Sequence, residues 1–159
     1  MANTQSMCTS FLGELLSATH NFSSANPAQT ASTANTFKAA LYLASATLNA
    51  STTVYSATGE VTGTGYTAGG VTVTGATNPI ATNSSTTAGV GYWTPSASIT
   101  YTTVTLSTAF DTMLLYNSTQ SNKAVAVYTF GSQTITAGNF TLTMPSNTTT
   151  TALVRLSTT

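Results

Sequence analysis

Residues Gly59 to Gly75 read GEVTGTGYTAGGVTVTG, and the fold is decided here. Gly59, Gly63, Gly65, Gly69 and Gly70 fall inside twelve residues, with Val61, Tyr66, Val71 and Val73 spaced among them. Glycine reaches positive φ at little cost, so this spacing suits a chain that reverses or passes close to another backbone. Val71-Thr72-Val73-Thr74 alternates apolar and polar, as a half-buried strand does. The stretch reads as strand, tight glycine corner, strand.

Working outward, the β pattern continues on both sides. Thr36 to Leu43 (TFKAALYL) is a strand with Phe37, Ala39 and Leu41 on one face and Lys38, Ala40 and Tyr42 on the other. After Ser45 to Thr53, a turn region, Val54-Tyr55 leads into the corner. Beyond it, Ala76 to Thr87 is a polar connection holding Asn78-Pro79, with a short pairing around Ile80. Gly89 to Trp93 and Ser98 to Leu106 are further strands, broken by Pro95. In the second, Ile99, Tyr101, Thr103 and Thr105 share one face. Phe110 to Tyr116 and Ala124 to Phe130 form a hairpin across the turn Asn117 to Asn122, NSTQSN. Gly131 to Thr134 turns again. Ile135, Phe140, Leu142 and Met144 then mark a strand, and Ala152 to Leu156 closes the chain. Thr, Val, Tyr and Phe dominate, which suits pleated surfaces. The expected class is mainly β, an antiparallel β-sandwich or jelly roll of about eight strands.

One helical pattern precedes the strands. From Thr4 to Asn21, Phe11, Leu12, Leu15 and Leu16 recur at helix spacing, with Met7 and Cys8 one turn earlier. Thr4 is placed to cap the helix and Asn21 to end it. The apolar face predicts packing across one end of the sheet rather than an arm docked on a neighbour. Phe22 to Asn35, with Asn26-Pro27, reads as a linker. The division is therefore 1–35, helix and linker, and 36–159, the β-sandwich domain.

Composition narrows the function. Charged residues make up 4% of the 159 residues, against about 25% in ordinary domains. Glu14, Lys38, Glu60, Asp111, Lys123 and Arg155 cancel to net zero. Ser and Thr supply more than a third of the chain. Without net charge, little repulsion keeps copies apart, so the surface is expected to be covered by copies of itself or by a partner. Three cations and no basic stripe argue against nucleic acid. The same shortage argues against anionic membranes, and the longest apolar runs are too short to span a bilayer. No basic, apolar-cored leader opens the chain. A single cysteine, Cys8, excludes an intrachain disulfide and reads as a buried, idle thiol.

No motif carries chemistry. The glycine stretch lacks dinucleotide spacing, a following helix and a nearby lysine, so it is a corner and not a phosphate cradle. Glu60 is expected to lock that corner by accepting backbone N–H groups, or by pairing with Lys38, Lys123 or Arg155. His20 lacks a Cys or His partner for metal and reads as a helix cap or surface residue. No nucleophile elbow surrounds any serine. Trp93, after Tyr92, reads as a core or subunit-interface aromatic rather than a sugar platform. Arg155 is expected to bridge to an acid or another subunit. The expectation is no enzyme, no cofactor and no metal.

Several segments carry a resemblance. They are FLGELLSATHNF (Phe11 to Phe22), TFKAALY (Thr36 to Tyr42) and ASTTVYSATGEVTGTGYTAGG (Ala50 to Gly70). YNSTQSNKAVAV (Tyr116 to Val127), FTLTM (Phe140 to Met144) and ALVRL (Ala152 to Leu156) follow. In order and spacing these resemble a family of small tailed-bacteriophage virion proteins across most of the chain, most specifically at Glu60 to Gly70. The chain differs in having Ser, Thr and Ala where that family carries more charge. The resemblance implies a virion component assembled in the host cytoplasm. Together with the composition it leads to a capsid decoration (cement) protein, self-associated as a dimer or trimer and bound to the major capsid protein or other virion proteins. Phe11, Leu12, Leu15 and Leu16, with the loops around Asn26 and Asn78, are the expected contacts. A neck, collar or tail component is the runner-up, and a carbohydrate-binding adhesion module using Trp93 is the third reading.

Overall fold

The computed structural model describes residues 2–23, 34–75, 77–82 and 89–157. The elements are β1 (Ser6–Met7), α1 (Thr9–Leu16), β2 (Phe37–Leu43), β3 (Val71–Thr72), β4 (Ile80–Ala81), β5 (Val90–Trp93), β6 (Ile99–Asn117), β7 (Lys123–Leu142) and β8 (Val154–Ser157). They make a five-stranded sheet ordered β1-β7-β6-β2-β3 and a three-stranded sheet ordered β4-β5-β8. The expected class holds: the chain is mainly β and antiparallel, with eight strands in two sheets and one short N-terminal helix among the described residues. By contact the chain forms two compact units. The first comprises the described residues of Met1–His20, Asn35–Thr72 and Thr100–Thr141; the second holds those of Asn21–Ala34, Val73–Ile99 and Leu142–Thr159.

The first unit is built on β2 and β6. Their register sets Lys38 opposite Tyr116, Ala39 opposite Leu115, Ala40 opposite Leu114 and Leu41 opposite Met113. Directly opposed residues share a face, so both faces of this pair can be traced. One face carries Phe37, Ala39, Leu41, Met113, Leu115 and Asn117; the other carries Lys38, Ala40, Tyr42, Thr112, Leu114 and Tyr116. Apart from Lys38, all of these are buried. The first face meets His20, whose ring lies 6.5 Å from that of Phe37, and Phe11 packs 5.0 Å from His20. The second face meets the glycine stretch. Burying a side chain such as Phe11 contributes about 1.5–3 kcal/mol.

The helix is shorter than its sequence pattern. It runs Thr9–Leu16 with Cys8 as N-cap, not from Thr4 to Asn21. The residues before it are extended: Thr4 N–H bonds to Leu48 O, Ser6 and Met7 pair with Val127 and Ala126, and Cys8 N–H bonds to Val125 O. An available sheet edge satisfies these backbone groups, whereas an eight-residue helix gains little by lengthening alone. At its other end Ala18 adopts φ +55, Thr19 N–H bonds to Glu14 O and Ala18 N–H to Leu15 O. This double closure is a Schellman motif with alanine in the left-handed position.

Two further corrections concern the long strands. Ser98 to Leu106 and Phe110 to Tyr116 are one strand, β6, and the expected turn at Gly131 to Thr134 is part of β7. Pairing between β6 and β7 overrides the weak local signal of Ser, Thr, Ala and Gly. The alternation also slips. Ile99 and Tyr101 are buried, but Val104 and Leu106 follow them inward, not Thr103 and Thr105. Thr103 (φ +51) gives its N–H to Asn139 Oδ1 at 2.8 Å, and Ala137 (φ +45) gives its N–H to Thr105 Oγ1 at 3.0 Å. Side chains thus replace ladder bonds where the hairpin kinks. Within the glycine stretch only Val71–Thr72 is strand; Glu60 and Thr64 make single bridges to Tyr42 and Thr105.

In the second unit Ile80 pairs with Tyr92, as expected, and Trp93 pairs with Val154. Trp93 packs 4.9 Å from Phe22, and its Nε1–H donates to Thr77 O at 2.9 Å. Thr94 accepts from Leu153 N–H at 2.8 Å, tying the closing segment to the sheet. The loop around Asn26 and the later part of the expected Ala76 to Thr87 connection lie outside the described residues.

Candidate functional site

The corner at residues 59–70 gathers a polar cluster around Glu60. Glu60 is only 6% exposed. Its Oε1 accepts from Tyr66 Oη and from the Gly69 N–H, both at 2.7 Å, and its Oε2 accepts from Tyr55 Oη at 2.6 Å. The expectation that Glu60 is held by local backbone therefore matches the geometry, with two tyrosine hydroxyls added. Neither ion pair formed by the described acids includes Glu60.

The cluster closes an edge. β3 pairs with β2 only at Lys38 and Ala39. Beyond it, Leu41 N–H donates to Tyr66 Oη at 3.0 Å, Leu41 O accepts from Val61 N–H at 3.0 Å, and Leu43 N–H donates to Gly59 O at 2.9 Å. Tyr66 thus links the Glu60 carboxylate to the β2 backbone. Tyr116 Oη donates to Gly69 O and Tyr101 Oη to Ala39 O, each at 2.8 Å. Gly70, at φ +68, lies so close to β2 that a Cβ there would fall 1.7 Å from Ala39 O. Burial, then Glu60's hydrogen bonds and charge, pushes the Tyr55 and Tyr66 hydroxyls well above their ordinary range. Burial and the Glu60 charge push Tyr116 up to about 12. These hydroxyls stay protonated donors, whereas acid–base catalysis needs a group that titrates near neutrality. The cluster is built to hold shape.

A second network joins the helix to the sheet. Glu14 Oε2 contacts His20 Nε2 at 2.7 Å, and Glu14 Oε1 accepts from Lys123 Nζ at 2.6 Å. His20 Nδ1 lies 3.0 Å from Asn117 Nδ2, which also donates to Asn35 Oδ1 at 2.8 Å. The reading of His20 as a cap or surface residue is corrected: its side chain is fully buried. The Schellman turn carries it back under the sheet, a reversal that the sequence marks with no glycine. Burial works to raise the Glu14 pKa, but hydrogen bonds from Lys123 and His20 overcome it and hold the carboxyl below its ordinary range. Burial, with the Glu14 charge second, pushes the Cys8 thiol up to about 11. Cys8 is therefore a neutral thiol at physiological pH, not a nucleophile.

The remaining candidates are dispersed. Phe11 is fully buried and Leu15 half-buried, while Leu12 is 47% and Leu16 93% exposed. Trp93 is 3% exposed, so neither ring face is open to a sugar. Arg155 is exposed and donates to Thr149 O at 3.0 Å. Asp111 accepts from Asn3 Nδ2 at 2.9 Å and from Thr112 Oγ1 at 2.7 Å. A cleft of about 430 Å³ is lined by Tyr42, Ser45, Leu48, Thr52, Val54 and Thr58 among others. Its lining is neutral hydroxyls and apolar groups. Among the described residues no three His, Cys, Asp or Glu side chains converge as a metal site. No family model, curated protein or solved structure matches the chain.

Proposed function

We propose that the protein is a structural component of a tailed-bacteriophage virion, a capsid decoration protein that stabilises the head by bridging capsid subunits. One observation carries the reading: five of the six charged side chains, all but Lys38, have a bonding partner within the chain. Glu14 pairs with Lys123, Glu60 is enclosed by tyrosines, Asp111 is bound by Asn3 and Thr112, and Arg155 bonds to its own backbone. The surface left over is largely Ser, Thr and other neutral groups, which suits permanent contact with neighbours better than life as a free monomer. The resemblance of residues 60–70 to a virion family gives that contact its setting.

The mechanism is passive. Neutral faces and loops bury area against the major capsid protein, and contacts repeated over the shell sum to resistance against internal pressure. Whatever binds only the assembled shell stabilises it by mass action. The protein acts in the virion, without catalysis, nucleic-acid contact or membrane contact. Quantitative mass spectrometry of purified virions tests the reading. Hundreds of copies per particle are expected; about a dozen, the stoichiometry of a ring, would instead make it a neck or collar part. Its absence from the particle would end the virion reading.

A further inference from the structure

His20 is the chain's single histidine, and its two ring nitrogens meet different neighbours. Nε2 lies 2.7 Å from Glu14 Oε2, an oxygen that only accepts while the carboxyl is ionised. Nδ1 lies 3.0 Å from Asn117 Nδ2. The orientation of Asn117 is decided by its other bonds. Its Oδ1 accepts from the Thr119 and Gln120 N–H groups at 3.1 and 3.3 Å. Turning the amide over would set an NH2 group against these two donors. Nδ2 therefore faces His20 as a donor, and it also donates to Asn35 Oδ1 at 2.8 Å. Nδ1 must then accept, so the ring carries one proton, on Nε2, and gives it to Glu14. In this state His20 ties the end of α1 to the last residue of β6 and, through it, to Asn35.

We propose that His20 is a proton-operated latch on the turn between β6 and β7: a second proton on Nδ1 displaces the Asn117 amide, which gives up its bond to the ring and its caps on Thr119 and Gln120. The proton comes from solvent and takes the lone pair that had accepted from Asn117. An imidazolium donates from both nitrogens, so Nδ1–H would point at an NH2 group. Glu14 keeps its contact with Nε2 and favours the added charge, so the ring can take the proton without leaving its place. Facing the ring are Glu14 from α1, Asn117 from β6 and the uncharged rings of Phe11 and Phe37. Lys123, from β7, reaches the other Glu14 oxygen. Lys38 lies on the opposite face of β2 from Phe37, and Glu60, Asp111 and Arg155 make their bonds elsewhere. At Glu14, burial is outweighed by the bonds from Lys123 and His20, so the carboxylate stays ionised in weak acid. Burial raises the Cys8 thiol and the Tyr128 hydroxyl, which stay neutral there. Histidine is the side chain that ordinarily changes charge between about pH 5 and 8, so in that window the latch has one operator. The change is local in charge and is read out by a hydrogen-bonded turn.

Long-range proton–nitrogen NMR of the full chain tests it, since one histidine gives one set of ring signals. At about pH 8 the ring is expected as the Nε2–H tautomer. On acidification to about pH 5 it gains the second proton, and the Asn117 side-chain amide and the Thr119 and Gln120 N–H signals move with the same midpoint. Hydrogen exchange at Thr119 and Gln120, corrected for its intrinsic pH dependence, speeds about tenfold or more, while Val61 N–H, bonded to Leu41 O, keeps its protection. In Asn117→Asp an oxygen faces Nδ1 and accepts from the imidazolium, so both caps persist in acid. An Nδ1–H tautomer or a doubly protonated ring at about pH 8 overturns the inference. So does a ring that stays singly protonated until the protein unfolds, or one that takes the proton while Thr119 and Gln120 do not respond. Caps lost alike in wild type and Asn117→Asp count against it too. If Asn117→Asp fails to fold, the wild-type spectra decide alone. The latch is built from bonds within the chain and stands or falls independently of the virion reading.

Discussion

Glu60 shows how one buried carboxylate can organise a corner. Three donors converge on it, and one of them, Tyr66, also receives the Leu41 N–H of β2. Glu60→Gln keeps the shape but turns an NH2 group toward donors and removes charge assistance, worth about 1.5–3 kcal/mol per bond to a charged group. We expect chemical denaturation to show a loss of about 3 kcal/mol. An unchanged midpoint would mean that the corner holds without the carboxylate. Glu14 makes a pH prediction. Its folded pKa lies below the unfolded value, so its contribution is present above the unfolded pKa of about 4.3 and is lost as pH falls through the lower folded value. Glu14→Gln is therefore expected to be less stable than wild type at about pH 6, with the difference shrinking as the pH falls below about 4.3. A difference that persists at low pH would assign Glu14 a role other than its charge.

At the scale of elements, two positive-φ positions predict opposite outcomes. Gly70 combines φ +68 with a backbone approach that no Cβ can occupy. Gly70→Ala must push β3 from β2, and a loss of at least about 3 kcal/mol is expected from strain plus broken pairing. Ala18 occupies a left-handed helix terminus that glycine adopts freely. Ala18→Gly should stabilise the protein by about 1 kcal/mol, read from the thermal midpoint. If both variants were neutral, the backbone at these two turns would not be as constrained as their φ values and contacts state.

For the whole molecule, segments distant in sequence meet through strand pairing. Ser6 pairs with Val127, and Phe37 pairs with Asn117. Such distant pairings require closure of long loops before they stabilise anything, so refolding is expected on the scale of milliseconds to seconds. Stopped-flow fluorescence would measure it; complete refolding within microseconds would contradict a sheet assembled this way. The same topology explains why the neutral composition is tolerated. Polar groups such as Tyr101 Oη, Asn117 Nδ2 and the Leu41 N–H find uncharged partners distant in sequence.

Much of the fold class could be read before any coordinates. Alternation of Val, Tyr, Phe and Leu with Thr forces one face of each segment inward, and glycine punctuation limits where the chain can turn; these are local facts, carried by neighbouring residues. The β2 strand, the hairpin turn before Lys123 and the corner role of Glu60 all followed from them. The extent of β6 and β7 did not, because runs of Thr, Ser and Ala carry no phase and only pairing with a neighbour decides whether they continue. The helix start did not either, since Ser6 and Met7 suit a helix locally and a sheet edge recruits them. The burial of His20 is not legible for the same reason: it depends on where a turn sends the chain. Composition by itself determined that the surface would be neutral, but only the tertiary structure decided which charges find partners and which are enclosed, because both depend on residues distant in sequence.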